Sequence, residues 1–203
     1  ALQMKAQTME VKKQMSLGIQ TGINVSLPGI EDKFIDKVWK KFTKDYGKLS
    51  KNKKAKEEFI EAATIKTISS SIPMDIYTIT EDGSMTAFFD IKTGFLNSND
   101  YPKEFGMAMD FMREFGFEVQ REKVREELET ENDKLKKLNK NLEKLKKDKD
   151  DLKNDIVEYK EKIKKAESDI ITNERDQEKT KENIEGQIKT VQMVQEKLNK
   201  IGK

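Results

Sequence analysis

The chain has no cysteine and no histidine among its 203 residues, and only three prolines and one tryptophan. Without cysteine there is no disulfide framework, no thiolate nucleophile and no cysteine-based zinc site. Without histidine the commonest general base and metal ligand is missing, which excludes triad chemistry and HExxH-type zinc chemistry. No glycine-rich phosphate loop is present. No apolar run approaches the roughly 20 residues needed to span a bilayer. One absence is local: beyond Val119 there is no proline and, until Gly186, no glycine.

Charge is what the chain has in quantity. Lys and Arg number 40 against 38 Asp and Glu, and charged residues make up 38% of the chain against 34% hydrophobic. Most of such a sequence cannot line an ordinary globular core. The charge is also unevenly spread. Residues 1–100 carry 15 basic and 13 acidic side chains, whereas the remainder carries 25 of each. Fourteen of the fifteen aromatic residues lie at or before Phe117, and only Tyr159 comes later. Two structural objects are therefore expected: an α+β head over residues 8–119 and a coiled-coil helix over 120–203. Residues 1–7 read as a signal-peptide remnant ending at Ala6, or as a disordered start.

Within the head, Thr8 to Leu17 alternates, with Met9, Val11, Met15 and Leu17 on one face. Ile23, Val25 and Leu27 repeat that period of two, so both segments read as strands with one buried face. From Ile30 the period becomes helical: Phe34, Val38 and Phe42 are spaced by four and flanked by Ile35, Trp39 and Tyr46. Glu31 and Asp32 open this helix, Lys40, Lys41 and Lys44 close it, and Gly47 reads as its left-handed stop. Lys48 to Lys56 reads as a polar connector. Phe59 to Ile68 reads as a strand with Ile60, Ala62 and Ile68 on one side. Ile76–Ile79 and Met85–Phe89 flank Asp82-Gly83, which suits a type I′ hairpin turn. A second helix begins near Asp100-Tyr101-Pro102. Its stripe is Tyr101, Phe105, Ala108, Met112, Phe115 and Val119, widened by Met107, Phe111 and Phe117. Gly106 and Gly116 within it suggest close backbone approach. The expected fold class is α+β: a small antiparallel-sheet head, β-β-α-β-β-β-α, with helices on one face, followed by a long C-terminal coiled-coil helix.

The tail carries a strict heptad. With Leu135 at position a, the a positions include Leu142, Ile156, Ile163, Ile170, Ile184, Val191 and Leu198. The d positions include Leu138, Leu145, Leu152, Tyr159, Val194 and Ile201. Fifteen of twenty seam positions are apolar, without a stutter. A strict seven-residue period implies a left-handed coiled coil, since a lone amphipathic helix drifts off it. In a parallel pair Asp148–Lys153, Asp155–Lys160, Lys162–Glu167 and Asp176–Lys181 attract across the seam, whereas Asp169–Glu174 repel. Ile at a and Leu at d favour two strands, and polar Lys149, Asn173, Gln177 and Thr180 can fix register. The rival is an intramolecular antiparallel hairpin turning at Lys147–Asp151. That stretch lacks Gly and Pro and leaves the frame unbroken, which favours the continuous helix.

Candidate chemistry is sparse. Lys48, Lys51, Lys53, Lys54 and Lys56 could meet phosphates. No aromatics alternate with them as a single-strand platform requires, and a solvated connector beside Glu57 and Glu58 explains them. Asp75, Asp82 and Asp90 could form a carboxylate pair or a hard-cation site, but turn and strand-end roles account for each. The methionines Met107, Met109 and Met112 read as core filling. No catalytic, cofactor-binding or metal-binding residue is assigned, and no enzyme activity, cofactor or nucleic-acid partner is expected.

The segments Trp39–Tyr46, Asp90–Ser98 and Phe115–Lys123 resemble a group of uncharacterised exported proteins of Bacteroidetes bacteria, patchwise over most of the chain. The resemblance implies a small α+β head, a C-terminal coiled coil, a signal peptide and a periplasmic or secreted location; it supplies no site residues. The expectation is a structural or interaction protein of the bacterial envelope. It would dimerise through the coiled coil and present its head to an envelope protein partner. The alternative is a module that binds a ligand or partner on the helix-free sheet face, floored by the Ile60/Ala62 side, with a hairpin tail.

Overall fold

A computed structural model describes residues 7–69 and 72–201. The expected signal remnant Ala1–Ala6 lies outside the described residues, as do Ser70 and Ser71. The elements are β1 (Gln7–Met15), β2 (Gly18–Ser26), α1 (Asp32–Phe42), β3 (Leu49–Asn52), β4 (Glu57–Ala63), β5 (Met74–Glu81), β6 (Ser84–Asp90) and α2 (Pro102–Lys200). The chain divides into two compact units, Ala1–Asn132 and Asp133–Lys203.

The first unit is α+β. Its six strands form one sheet in the order β1-β2-β6-β5-β4-β3, every neighbouring pair antiparallel. One strand more than expected is present, because β3 lies inside the lysine-rich connector. Its polar sequence hides it from a periodicity reading, yet polar, lysine-bearing strands are what a sheet edge tolerates. Asp82 (φ 49°) and Gly83 (φ 67°) both have positive φ, as the expected I′ turn demands. This turn docks on the start of α1, with the Gly83 N–H donating to Asp32 Oδ1 at 2.9 Å.

Ile35, Val38 and Trp39 of α1 and Phe105, Ala108, Phe111, Met112, Phe115 and Val119 of α2 are buried. They share one core with Ile23, Val25, Ile60, Ile76 and Phe89 of the sheet. Trp39 stands edge-on to Phe115 at 4.9 Å between ring centroids, a favoured aromatic geometry. Helix α1 ends four residues before Tyr46. Thr43 closes it, its hydroxyl donating to the Trp39 carbonyl at 2.8 Å. Gly47 is thus not the helix stop. It is needed because a Cβ there would lie 2.6 Å from Ile60 Cγ2. Gly106 has open space around it, so close approach does not explain that glycine.

Met9 and Leu17 are about half exposed and only Met15 of the first alternating run is buried, because β1 is an edge strand and Leu17 sits in the turn. Strand β4 stops at Ala63, and a register shift between Ile60 and Ala63 places Ala62 at φ 52°. That bulge returns Ala63 to the face of Ile60, so Ile60, Ala63, Ile65 and Ile68 all enter the helix-covered core. Met107 and Phe117 do not widen the buried stripe of α2; both are exposed.

The bulge is held by one carboxylate. Asp75 is buried, its Oδ1 accepting the Ala62 N–H at 2.8 Å and its Oδ2 paired with Lys92. Burial pushes this carboxyl up, but the Ala62 and Lys92 hydrogen bonds together outweigh it and hold it below the ordinary value. A depressed carboxyl stabilises the fold fully above its unfolded pKa, and that contribution is lost as pH falls through the folded value. Asp75→Asn is expected to cost about 1–3 kcal/mol at pH 7, the range for a buried hydrogen-bonded charge. Urea titrations of both proteins at pH 7 and pH 3 should show the gap closing in acid; an equal gap at both pH values would refute this role.

The second unit holds the remainder of α2, which runs to Lys200. Residues 147–151 are helical, so the intramolecular hairpin turning there is not formed.

Candidate functional site: the heptad face of the tail

Within the unit Asp133–Lys203 every described residue is exposed, including the whole apolar seam. From 50% at Leu142 to 66% at Leu138, the Leu seam positions are shielded only by their own helix. The seam is the feature of the chain least compatible with water. Fully burying one Leu or Ile side chain is worth about 1.5–3 kcal/mol. Thirteen Leu, Ile, Val and Tyr residues at Leu135, Leu138, Leu142, Leu145, Leu152, Ile156, Tyr159, Ile163, Ile170, Ile184, Val191, Val194 and Leu198 share this exposure. An isolated helix gains little from propensity in water, so an exposed apolar face of this length is the surface of the second unit with the most burial energy still to gain.

The flanks are already organised. Lys146–Glu143, Lys153–Asp150, Lys162–Glu158 and Lys181–Glu178 are ion pairs along the helix. Each joins an e or g lysine to a residue outside the seam. A carboxylate brought to one of these lysines from outside would replace one exposed contact with another and add only tenths of a kcal/mol. The polar layer at Asn173, Gln177 and Thr180 satisfies itself. Gln177 Nε2 donates to Asn173 Oδ1 at 2.5 Å, and Thr180 Oγ1 to the Asp176 carbonyl at 2.8 Å.

The head offers two other surfaces. The helix-free sheet face does not carry Ile60; it carries Phe59, Tyr77, Ile79 and Phe88, of which Ile79 and Phe88 are buried and Phe59 and Tyr77 half-buried. Strand β2 pairs with β6 only over Ile23–Ser26. Beyond Gly22 the β1–β2 hairpin leaves the sheet and folds across this face. Met15 packs with Ile79 and Phe88, and the Ser16 N–H donates to Glu57 Oε1 at 2.6 Å. Lys13 pairs with Glu81. The edge of β6 that β2 vacates is filled by the following loop, where Leu96 N–H donates to the Phe89 carbonyl at 2.8 Å and Phe95 bridges Asp90. The arm and loop thus cover the Ile79–Phe88 part of this face and leave Phe59 and Tyr77 half-buried.

The second surface is a polar cavity of about 170 Å³ between α1 and the β3–β4 hairpin, lined by Asp36, Lys51, Asn52, Glu58, Thr78 and Thr80 among others. Glu57 and Glu58, expected beside a solvated connector, are only 2% and 9% exposed. Lys51 pairs with Glu58 at 2.5 Å, and that hydrogen bond holds its ammonium above the ordinary value. The second oxygen of each glutamate has no hydrogen-bond partner, but both are closed off from solvent, so a molecule in the cavity does not reach them. Charges of both signs line the cavity, which leaves no strong field for a phosphate. Asp75 and Asp90 face each other across β5 and β6, but Asp75 spends both oxygens on Ala62 and Lys92. No group of three potential metal ligands occurs among the described residues.

No protein-family model, no curated protein and no solved structure matches the chain. Among the described residues no helix is long and apolar enough to cross a membrane.

Proposed function

We propose that the chain is a non-enzymatic interaction protein that pairs with a second copy through the heptad face of α2 and carries its α+β head on the pair. The observation behind this is the exposed seam from Leu135 to Leu198, which nothing in the second unit covers. The flanking charges support a parallel, in-register pair, with four attractive g–e contacts against one repulsive. Such a pair joins two heads in one assembly and acts as a spacer or adaptor, with an envelope protein as the partner of the heads. The envelope location rests on the resemblance of residues 39–46, 90–98 and 115–123 to exported Bacteroidetes proteins. Light scattering after size exclusion of the full chain is expected to give twice the 23.6 kDa chain mass. A monomer at micromolar concentration would remove the reading.

A further inference from the structure

We propose that the pairing face does not end with the tail but continues onto the head, where Phe117, Val124 and Leu128 receive the same second copy. This rests on the parallel-pair reading above and extends it to the first unit. Carrying the heptad frame of Leu135 back through the sequence puts Leu128 at a, Val124 at d and Phe117 at d. These three are 60%, 58% and 38% exposed. The core face of α2 in the same stretch, at Phe111, Phe115 and Val119, falls at e, b and f. Apolar side chains that the sheet does not cover thus sit where the frame requires them.

The local shape fits a coiled-coil partner. Phe117, Gln120, Arg121, Val124 and Arg125 line a shallow depression of about 470 Å³. Phe117, Gln120, Arg121 and Val124 occupy d, g, a and d, the four positions that form one hole for a knob in a parallel pair. The frame also places charged residues on this stretch of seam, Glu114 and Arg121 at a and Glu131 at d; Arg121 and Glu114 neutralise each other, Arg121 donating to Glu114 at 2.6 Å and to Glu118 at 2.8 Å. Across a parallel seam Arg113 at g faces Glu118 at e of the second copy, an attractive contact. An antiparallel partner removes that contact and brings no second Phe117 to this level. The occupant is therefore the same helix of a second chain, in register, and the heads pair side by side.

The absence of native cysteine makes the test clean. Val124→Cys, Leu128→Cys and Leu138→Cys each place one thiol on the seam, and Lys123→Cys places one beside it as a control. Across a parallel in-register seam the paired Cα atoms fall within disulfide reach. Under mild oxidation of the full-length chain, Val124→Cys and Leu128→Cys are expected to link into covalent dimers roughly tenfold or more faster than Lys123→Cys, matching Leu138→Cys, because pairing raises the effective thiol concentration. If Leu138→Cys links while both head variants track Lys123→Cys, the seam stops below the head and this inference fails while the pairing itself stands. If Leu138→Cys also fails to link, the parallel pair falls and this inference with it.

Discussion

Gly22→Ala is expected to cost the head at least about 3 kcal/mol, the upper part of the range for overpacking a well-filled core. A Cβ at this position would lie 2.8 Å from Phe88 Cδ1 and 2.9 Å from the Ala87 carbonyl oxygen. Neither neighbour can yield. Phe88 is fully buried among Met15, Ile79, Tyr77 and Phe95, and the carbonyl belongs to the sheet backbone. Relief requires moving β2 away from β6 at the place where the hairpin arm turns over the sheet, so the Met15 and Ser16 contacts are lost with it. Urea unfolding should show a lower midpoint with an unchanged slope. Gly106→Ala is the matched control: it adds the same methyl group to open space and a helix interior, where alanine is favoured by up to about 1 kcal/mol. Equal midpoints for the two variants would mean that Gly22 does not seat the arm.

The other large effect belongs to the tail. If the proposed pair forms, Ile156→Lys together with Ile163→Lys is expected to convert it to monomers. Each removes one buried seam side chain per chain, so four are lost per pair, at least about 6 kcal/mol by transfer free energies. That corresponds to more than about 10⁴-fold in dissociation constant, before repulsion between the introduced ammonium groups is counted. Val157→Lys tests the frame itself. Val157 is as exposed as its seam neighbours but lies at b, outside the pairing face, and its replacement should leave the mass by light scattering unchanged. Dissociation by Val157→Lys, or persistence of the pair in the double variant, would contradict the frame.

The legible parts of the fold were those governed by local rules. The Asp82-Gly83 turn follows from the φ requirement of a two-residue hairpin, and the Trp39 helix from its four-residue spacing. What could not be read was set at long range. Alternation over Phe59–Ala63 says which residues share a face but not which face receives the helices, and the bulge at Ala62, clamped by Asp75, then exchanges the faces. β3 has too little apolar content to announce itself. Glu57 and Glu58 look solvated by composition, and only the folded arm and the Lys51 pair enclose them. Phe117 is a different case. Its aromatic character suggests core, whereas its place in the heptad frame was available from the sequence and agrees with its exposure.

The arm that closes over the sheet also has a cost in time. Its anchoring contacts, Ser16 to Glu57 and Lys13 to Glu81, join positions 41 and 68 residues apart. Loops of that span must be closed before the contacts that reward them exist, which makes such pairings slow. The β1–β2 arm, synthesised before β4, β5 and β6, is therefore among the last parts of the head to find its place, waiting on those strands for the surface it covers.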